Sequence, residues 1–293
     1  MTHVEVPTSF TEPQGRVELN NDGIGYVESY DFSTANMSND LRIAAISTVA
    51  SVCYQSPKAL GSMSLYNRLA NESAGLPSSS FEFVPVLLTY SQVQKIVSKS
   101  MVTFSLPDVL RYGQVMRKGL SLVLLTNLRA LISDVGDKAD QYYNDQDQCD
   151  FIKKKFKVYK SKIDLSTRAQ FIRHRVSWQE LSRRYVSGKK SPFEFYISPK
   201  MKGLENNTPT LFNVYGSTVT TENLHDMAVV HYNAAITQGV KPEEARRILP
   251  QSMYTTIWSA WTPKPLKSFY DLRLDSHAQS EIRELAEGMR DLK

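Results

Sequence analysis

Alternating apolar and polar positions open the chain. Arg16 to Asn20 and Gly25 to Tyr30 predict two strands, and Asn21-Asp22-Gly23 between them predicts a hairpin turn. Asn39 and Asp40 stand where a cap belongs for a helix through Leu41, Ala44, Ala45 and Val49, and a second helix is predicted over 64–70. Leu76-Pro77-Ser78-Ser79-Ser80 reads as a loop leading into a strand, FEFVPVLL, at 81–88. Residues 90–150 differ. Val109, Leu110, Val115, Leu120, Val123, Leu124, Leu128 and Leu131 have helical spacing, and the polar run DQYYNDQDQ closes the segment, so a helical insertion is expected.

Beyond it, FIKKKFKVYK at 151–160 predicts a strand with Phe156 and Val158 inward and Lys155 and Lys157 outward. Asp164 or Ser161 is placed to cap a helix that buries Leu165, Ala169 and Ile172, leaving Gln170, Arg173 and His174 on another face. A strand at 193–197, a helix at 222–238, a helix begun by Pro242, a strand at 253–261 and a helix over 265–290 complete the pattern. In the last of these, Phe269, Arg273 and His277 recur at four-residue intervals.

Composition sets broad bounds. With 293 residues, 41% hydrophobic and 22% charged, the chain can bury a sizeable core as one large domain or two small ones. No apolar run reaches the length of a membrane helix, and MTHVEVPTSFTEPQ lacks a secretory pattern, so no membrane association and a cytoplasmic location are expected. Cys53 and Cys149 have no metal-type spacing and read as free thiols; no metal is expected. Charge is uneven. Residues 151–190 hold 13 Lys and Arg against Asp164 and Glu180, whereas the whole chain carries only +5. Such a field draws anions, either a nucleotide phosphate or a polynucleotide.

Within that region, RHRVSWQELSRRY at 173–185 sets Arg173, His174 and Arg175 ahead of Ser177, Ser182 and Arg184. GVKPEEARRILP at 239–250, LKSFYDLRLDSHAQSEI at 266–282 and Ser79-Ser80-Phe81-Glu82 are three further motifs. Together and in this order they resemble the flavin-dependent thymidylate synthases. The resemblance implies an α+β fold, a mixed sheet flanked by helices, over a single domain at 1–293 with the helical insertion at about 90–150. It also implies a reaction: methylation of deoxyuridine monophosphate (dUMP), with methylenetetrahydrofolate giving the carbon, flavin adenine dinucleotide (FAD) the hydride, and NADPH recharging the flavin.

Carried over position by position, it assigns Gln170, Arg173, Glu180, Leu181, Ser182, Arg183, Arg184, Arg246 and Arg273 to the nucleotide. Arg273 would be the catalytic group, stabilising negative charge that develops on the pyrimidine. Ser79, Arg173, His174, Arg175, Glu180, Thr262, Lys264 and Ser268 would hold FAD. The family's sites form between the subunits of a homotetramer, which is expected here too.

The chain also departs from the pattern. One residue is missing between Arg175 and Ser177, and Leu76-Pro77 stands where the family has a His. Thr262-Pro263-Lys264 and Ser268 replace an Asn-x-Arg and a later polar residue, while the insertion carries Asn127-Leu128-Arg129, so a substitute role is expected for Asn127 and Arg129. Lys153, Lys154 and Lys155 read as a solvated face and His277 as structural. Two competing readings use the same residues. One is a nucleic-acid-binding protein stacking bases on Phe156, Tyr159, Phe171 and Trp178; the other is a nucleotide-binding homologue that has lost flavin. Arg246 and Arg273 favour the enzyme, since a nucleic-acid module has no need of them.

Overall fold

The computed structural model describes residues 3–72, 76–100, 105–202, 213–214 and 217–292. The strands are β1 (Gly15–Leu19), β2 (Gly25–Tyr30), β3 (Pro85–Thr89), β4 (Gln114–Lys118), β5 (Ser121–Asn127), β6 (Lys157–Asp164), β7 (Ser177–Glu180), β8 (Asn213–Val214), β9 (Ser217–Thr218) and β10 (Tyr254–Trp261). Five form the main sheet in the order β1-β2-β6-β10-β7, and β3-β5-β4 form a second. The α+β class is as expected. Every main-sheet pairing is antiparallel, however, where a mixed sheet was expected. Among the described residues no helix is long and apolar enough to cross a membrane.

The β1–β2 turn forms as the sequence dictates. Asn20, Asn21 and Gly23 all take positive φ, and the Asp22 carboxylate accepts from the backbone N–H of Ile24 and Gly25. The pleat of the main sheet then separates two cores. Tyr30, Val158, Trp258 and Ala260 face the helix Asn39–Tyr54, capped by Ser38 rather than by Asn39 or Asp40. Val27, Tyr159, Ile163, Ile257 and Trp261 face the other way, against Phe171, Phe269, Ile282, Leu285 and Met289. The helix Ser280–Asp291 lies so close to the sheet that a Cβ on Gly288 would stand 2.9 Å from Val27 Cγ1.

The insertion is not all helical. Its residues 101–104 lie outside the described residues, but β4 and β5 join in a two-residue hairpin in which Gly119 has φ 59° and Leu120 is fully exposed. Val123, Leu124 and Leu125 are buried in succession, a run whose period does not distinguish strand from helix. The helix Leu128–Val135 follows β5. Val86, Leu88, Leu125, Leu128 and Leu131 join the first core, so the insertion packs into the body of the protein. A buried arginine ties it there. Arg42, 1% exposed, donates to Asn36 Oδ1 at 2.7 Å and, within the insertion, to Ala139 O at 3.1 Å and Asp140 Oδ1 at 2.5 Å. Its guanidinium also lies 4.1 Å from the Tyr143 ring centroid.

Several element boundaries move for local reasons. Residues Ser79–Phe83 form a 3-10 turn and the strand starts at Pro85. Asp145 and Gln148 make a capping box that starts a helix at Gln146 and carries it through Lys155, so 151–155 are helical and β6 begins at Lys157. Lys153, Lys154 and Lys155 end that helix, where cations suit its dipole. Phe193 to Ile197 makes only a single bridge, Phe195 to Met253. The C-terminal helix divides into Pro263–Arg273 and Ser280–Asp291, which leaves His277 outside both. Phe156, Tyr159 and Phe171 are 8%, 2% and 0% exposed, and Trp178 packs edge-on to Phe171, so the aromatics proposed for base stacking belong to the cores.

Asp164 does cap a helix, Leu165–Phe171, accepting from Ser166 N at 2.9 Å, Thr167 N at 3.1 Å and Thr167 Oγ1 at 2.6 Å. That helix buries Thr167 and Phe171 and exposes Ala169, and it ends before Arg173 and His174. Asp164→Ala should lower the unfolding free energy by about 2 kcal/mol, since three donors lose one buried acceptor. Urea denaturation checks this; a loss of only a few tenths would contradict the cap's importance.

Candidate functional site

The Arg-His-Arg turn and the Ser-Arg-Arg loop are joined by β7, whose four residues pair only with β10. Side chains from both sheet faces reinforce this single pairing. Gln179 sits opposite Trp258 on the first-core face; its Nε2 donates to Cys53 Sγ at 2.8 Å and its Oε1 accepts from Ser79 Oγ at 2.8 Å. The Cys53 thiol donates in turn to Glu180 O at 3.0 Å. Burial pushes that thiol up to about 11, so it stays protonated at neutral pH and can serve as donor. On the opposite face, Glu180 Oε2 accepts from Arg168 Nε at 2.9 Å and Nη2 at 2.5 Å, while Oε1 accepts from Thr255 Oγ1 at 3.1 Å.

Past the C-terminal end of β7 lies a cleft of about 460 Å³. Arg168, Arg183, Arg246 and Arg247 line it with Glu180, the single acidic residue in its wall. Glu180, Leu181, Ser182, Arg183 and Arg246, all expected at the nucleotide, meet here from two motifs more than fifty residues apart. Arg183 is the most constrained. It is 8% exposed, donates to Ser191 O at 2.6 Å and lies 4.6 Å from the Phe193 ring centroid, while its Nε is buried without a partner. Burial lowers its pKa. Arg184 stays outside the cleft, exposed, with Nε 3.8 Å from Glu243 Oε2; Arg246 Nε donates to Glu243 O at 3.3 Å.

Gln170, His174 and Arg273 form a second group. Arg273 Nε donates to His174 Nε2 at 3.2 Å and Nη2 to Gln170 O at 3.4 Å. His174 Nε2 must therefore be the unprotonated nitrogen, and burial followed by the Arg273 charge lowers the ring's pKa below its ordinary 6.5. The imidazole stands edge-on to Phe269 at 5.0 Å. Arg173 beside it is exposed, has no carboxylate partner among the described residues, and together with burial lowers the pKa of Arg273. None of these four lines the arginine cleft.

At the N-terminal end of β7, roughly 10 Å away at about 3.3 Å per residue, a second cleft of about 440 Å³ opens. Arg175, Ser177 and Thr262 line it together with Glu82, Thr126, Asn127 and Arg129. Asn127 caps the helix Leu128–Val135, accepting from Ala130 N at 2.9 Å. Arg129 is held by Pro77 O and Glu82 Oε1, each at 2.8 Å. Arg175 has no carboxylate partner among the described residues, and Thr126 Oγ1 is buried without a hydrogen bond. Of the other positions expected at the flavin, Ser79 is bound to Gln179, while Lys264 and Ser268 are exposed and outside the cleft.

Sequence reasoning passed over Arg168, Gln179 and Thr255. Arg168 was visible only as one charge in a basic run, Gln179 only as an unassigned position inside the 173–185 motif and Thr255 only as a residue of a predicted strand; the partners of the last two lie 126 and 75 residues away.

Residues 151–293 match the family model described as thymidylate synthase complementing protein. The chain is 36% identical over 119 residues to a flavin-dependent thymidylate synthase of Thermotoga neapolitana, covering 40% of this chain and 51% of that protein. It is 38% identical over 133 residues to one of Aquifex aeolicus, covering 42% and 40%, and 33% identical over 120 residues to one of Pyrococcus furiosus, covering 40% and 45%. The chain thus spans about half the length of the curated relatives it matches.

The lowered pKa of His174 has a consequence for stability. Protonation is less favourable in the folded chain than in the unfolded one, so the contribution is complete above about 6.5 and is lost as pH falls from there through the native value. His174→Asn should flatten that part of the pH profile. Melting temperatures above and below the window test it, and an equal fall in both proteins would contradict it.

Proposed function

We propose that this chain, whose residues 151–293 match the family model described as thymidylate synthase complementing protein, is a flavin-dependent thymidylate synthase that methylates dUMP. The arginine cleft carries this reading. A nucleotide monophosphate needs charge-assisted donors fixed in direction, and Arg246 with the Ser182–Arg183 loop supplies them in a wall that holds one acidic residue.

The second cleft suits FAD. An unpaired Arg175, an orphaned Thr126 hydroxyl and the anchored Arg129 guanidinium offer polar partners beside the apolar wall of Phe156, Val176 and Pro265. Asn127 and Arg129 share this cleft with Thr262 and Pro265, whereas Lys264 and Ser268 lie outside it. Bound there, the flavin would supply hydride, with NADPH as its reductant and methylenetetrahydrofolate as carbon donor. The protein's own part is binding and charge: Arg175 and Arg129 hold the cofactor, Arg246 holds the phosphate, and Arg273 stabilises negative charge on the pyrimidine.

No cysteine nucleophile enters this scheme. A Cys53 thiol pushed up to about 11, and committed to Glu180 O, is poorly suited to attack. Arg173 and Arg273 lie apart from the arginine cleft of their own chain, which favours a homotetramer whose sites draw on several subunits. On the helix Thr221–Thr237, Met227 and Val230 are 63% and 67% exposed, as a contact between subunits would use. A cytoplasmic setting suits the two free thiols.

Arg246→Lys should weaken dUMP by on the order of 1–3 kcal/mol, because it keeps the charge and loses the planar fork. Replacing Lys153, Lys154 and Lys155 by Ser should cost far less, and its effect should shrink with salt. Calorimetric titration decides; a larger loss in the lysine variant would move the anion site out of the cleft. Separately, Arg175→Gln should weaken FAD, followed by flavin fluorescence, and leave dUMP affinity nearly unchanged. Equal losses of both ligands would count against two clefts with separate tasks.

A further inference from the structure

A carboxylate in the wall of a cleft built for an anion poses an electrostatic problem. Glu180 lines the arginine cleft, and a bare carboxylate there would repel an incoming phosphate. We propose that Arg168 is a positioning residue that removes this repulsion: it neutralises Glu180 and fixes its orientation, so that Arg183 and Arg246 present the net charge a phosphate meets. The proposal rests on the functional reading above, since it needs the cleft to bind a phosphate monoester.

The geometry assigns Arg168 to Glu180 rather than to the ligand. Its Nε and Nη2 both point at Oε2, at 2.9 and 2.5 Å, while Thr255 Oγ1 holds Oε1 at 3.1 Å, so the carboxylate is gripped from two elements. The helix that carries Arg168 cannot easily swing, because Asp164 caps it and Phe171 anchors it in the second core. Both partners are only partly exposed, at 33% and 22% of their side chains, so water screens the pair less than it would at an open surface. Arg247, by contrast, is paired outward with Glu244 at 3.2 Å.

A charge cycle on the full-length protein tests this by calorimetry with dUMP. Arg168→Gln should weaken binding about tenfold or more, because Glu180 is left uncompensated. The double variant that adds Glu180→Gln should bind at least about threefold more tightly than Arg168→Gln alone, since the repelling charge is gone. Arg168→Lys should also stay within about threefold, because an ammonium still neutralises the carboxylate. A merely structural role for Arg168 predicts no recovery in the double variant. If the double variant binds as weakly as Arg168→Gln, or if Arg168→Gln binds like the parent, the positioning role is overturned while the functional reading stands. Should Arg168→Gln fail to fold, the double and lysine variants still decide, because weak binding by both overturns the role. A parent protein that binds no dUMP overturns the functional reading, and this role with it.

Discussion

β7 is a short edge strand with one hydrogen-bonded neighbour, and both clefts depend on where it sits. Four residues paired on one side would fray if the ladder were all that held them. The side chains supply the rest, through Gln179 to Cys53 and Ser79 on one face and Glu180 to Arg168 and Thr255 on the other. The result is a fixed spacer. Its N-terminal end sets Arg175 in one cleft and its C-terminal end sets Ser182 and Arg183 in the other.

This arrangement changes the meaning of the missing residue ahead of Ser177. A one-residue change in a strand flips every later side chain to the opposite face. Here Ser177 pairs with Ala260 and Glu180 with Ile257, so the shortened stretch is absorbed in the turn at 172–176 and the strand keeps one unbroken register. Ser79 gains a mechanical part in the same way, as a donor to Gln179 that ties the turn Ser79–Phe83 to β7.

Much of the fold was legible because its determinants are local. β1 and β2 flank a clear turn signal, β10 has strand composition, the helix Thr221–Thr237 lies within one residue of its expected ends, and Asp164 is a cap in sequence and structure alike. The insertion was misread because Val123, Leu124 and Leu125 are buried on both faces of β5, while exposed Leu120 at the hairpin tip happened to fit a helical interval. Contiguous motifs pointed to the residues of the arginine cleft, since Glu180 to Arg183 are adjacent in the chain. Arg168 was not legible at all. Glu180 is only 12 residues further along, but the pairing depends on the helix Leu165–Phe171 and β7 folding back on each other, which neither periodicity nor motif announces.

The buried guanidinium of Arg42 couples two stretches of chain that lie 97 and 98 residues apart. It belongs to the helix Asn39–Tyr54, yet two of its acceptors, Ala139 O and Asp140, lie in the insertion. Excising that segment would strand a positive charge in the core, a defect that typically costs about 3–5 kcal/mol. Residues 90–150 are therefore not a detachable ornament. The helix Asn39–Tyr54 and the stretch around Ala139 and Asp140 depend on each other, because neither keeps these polar contacts without the other.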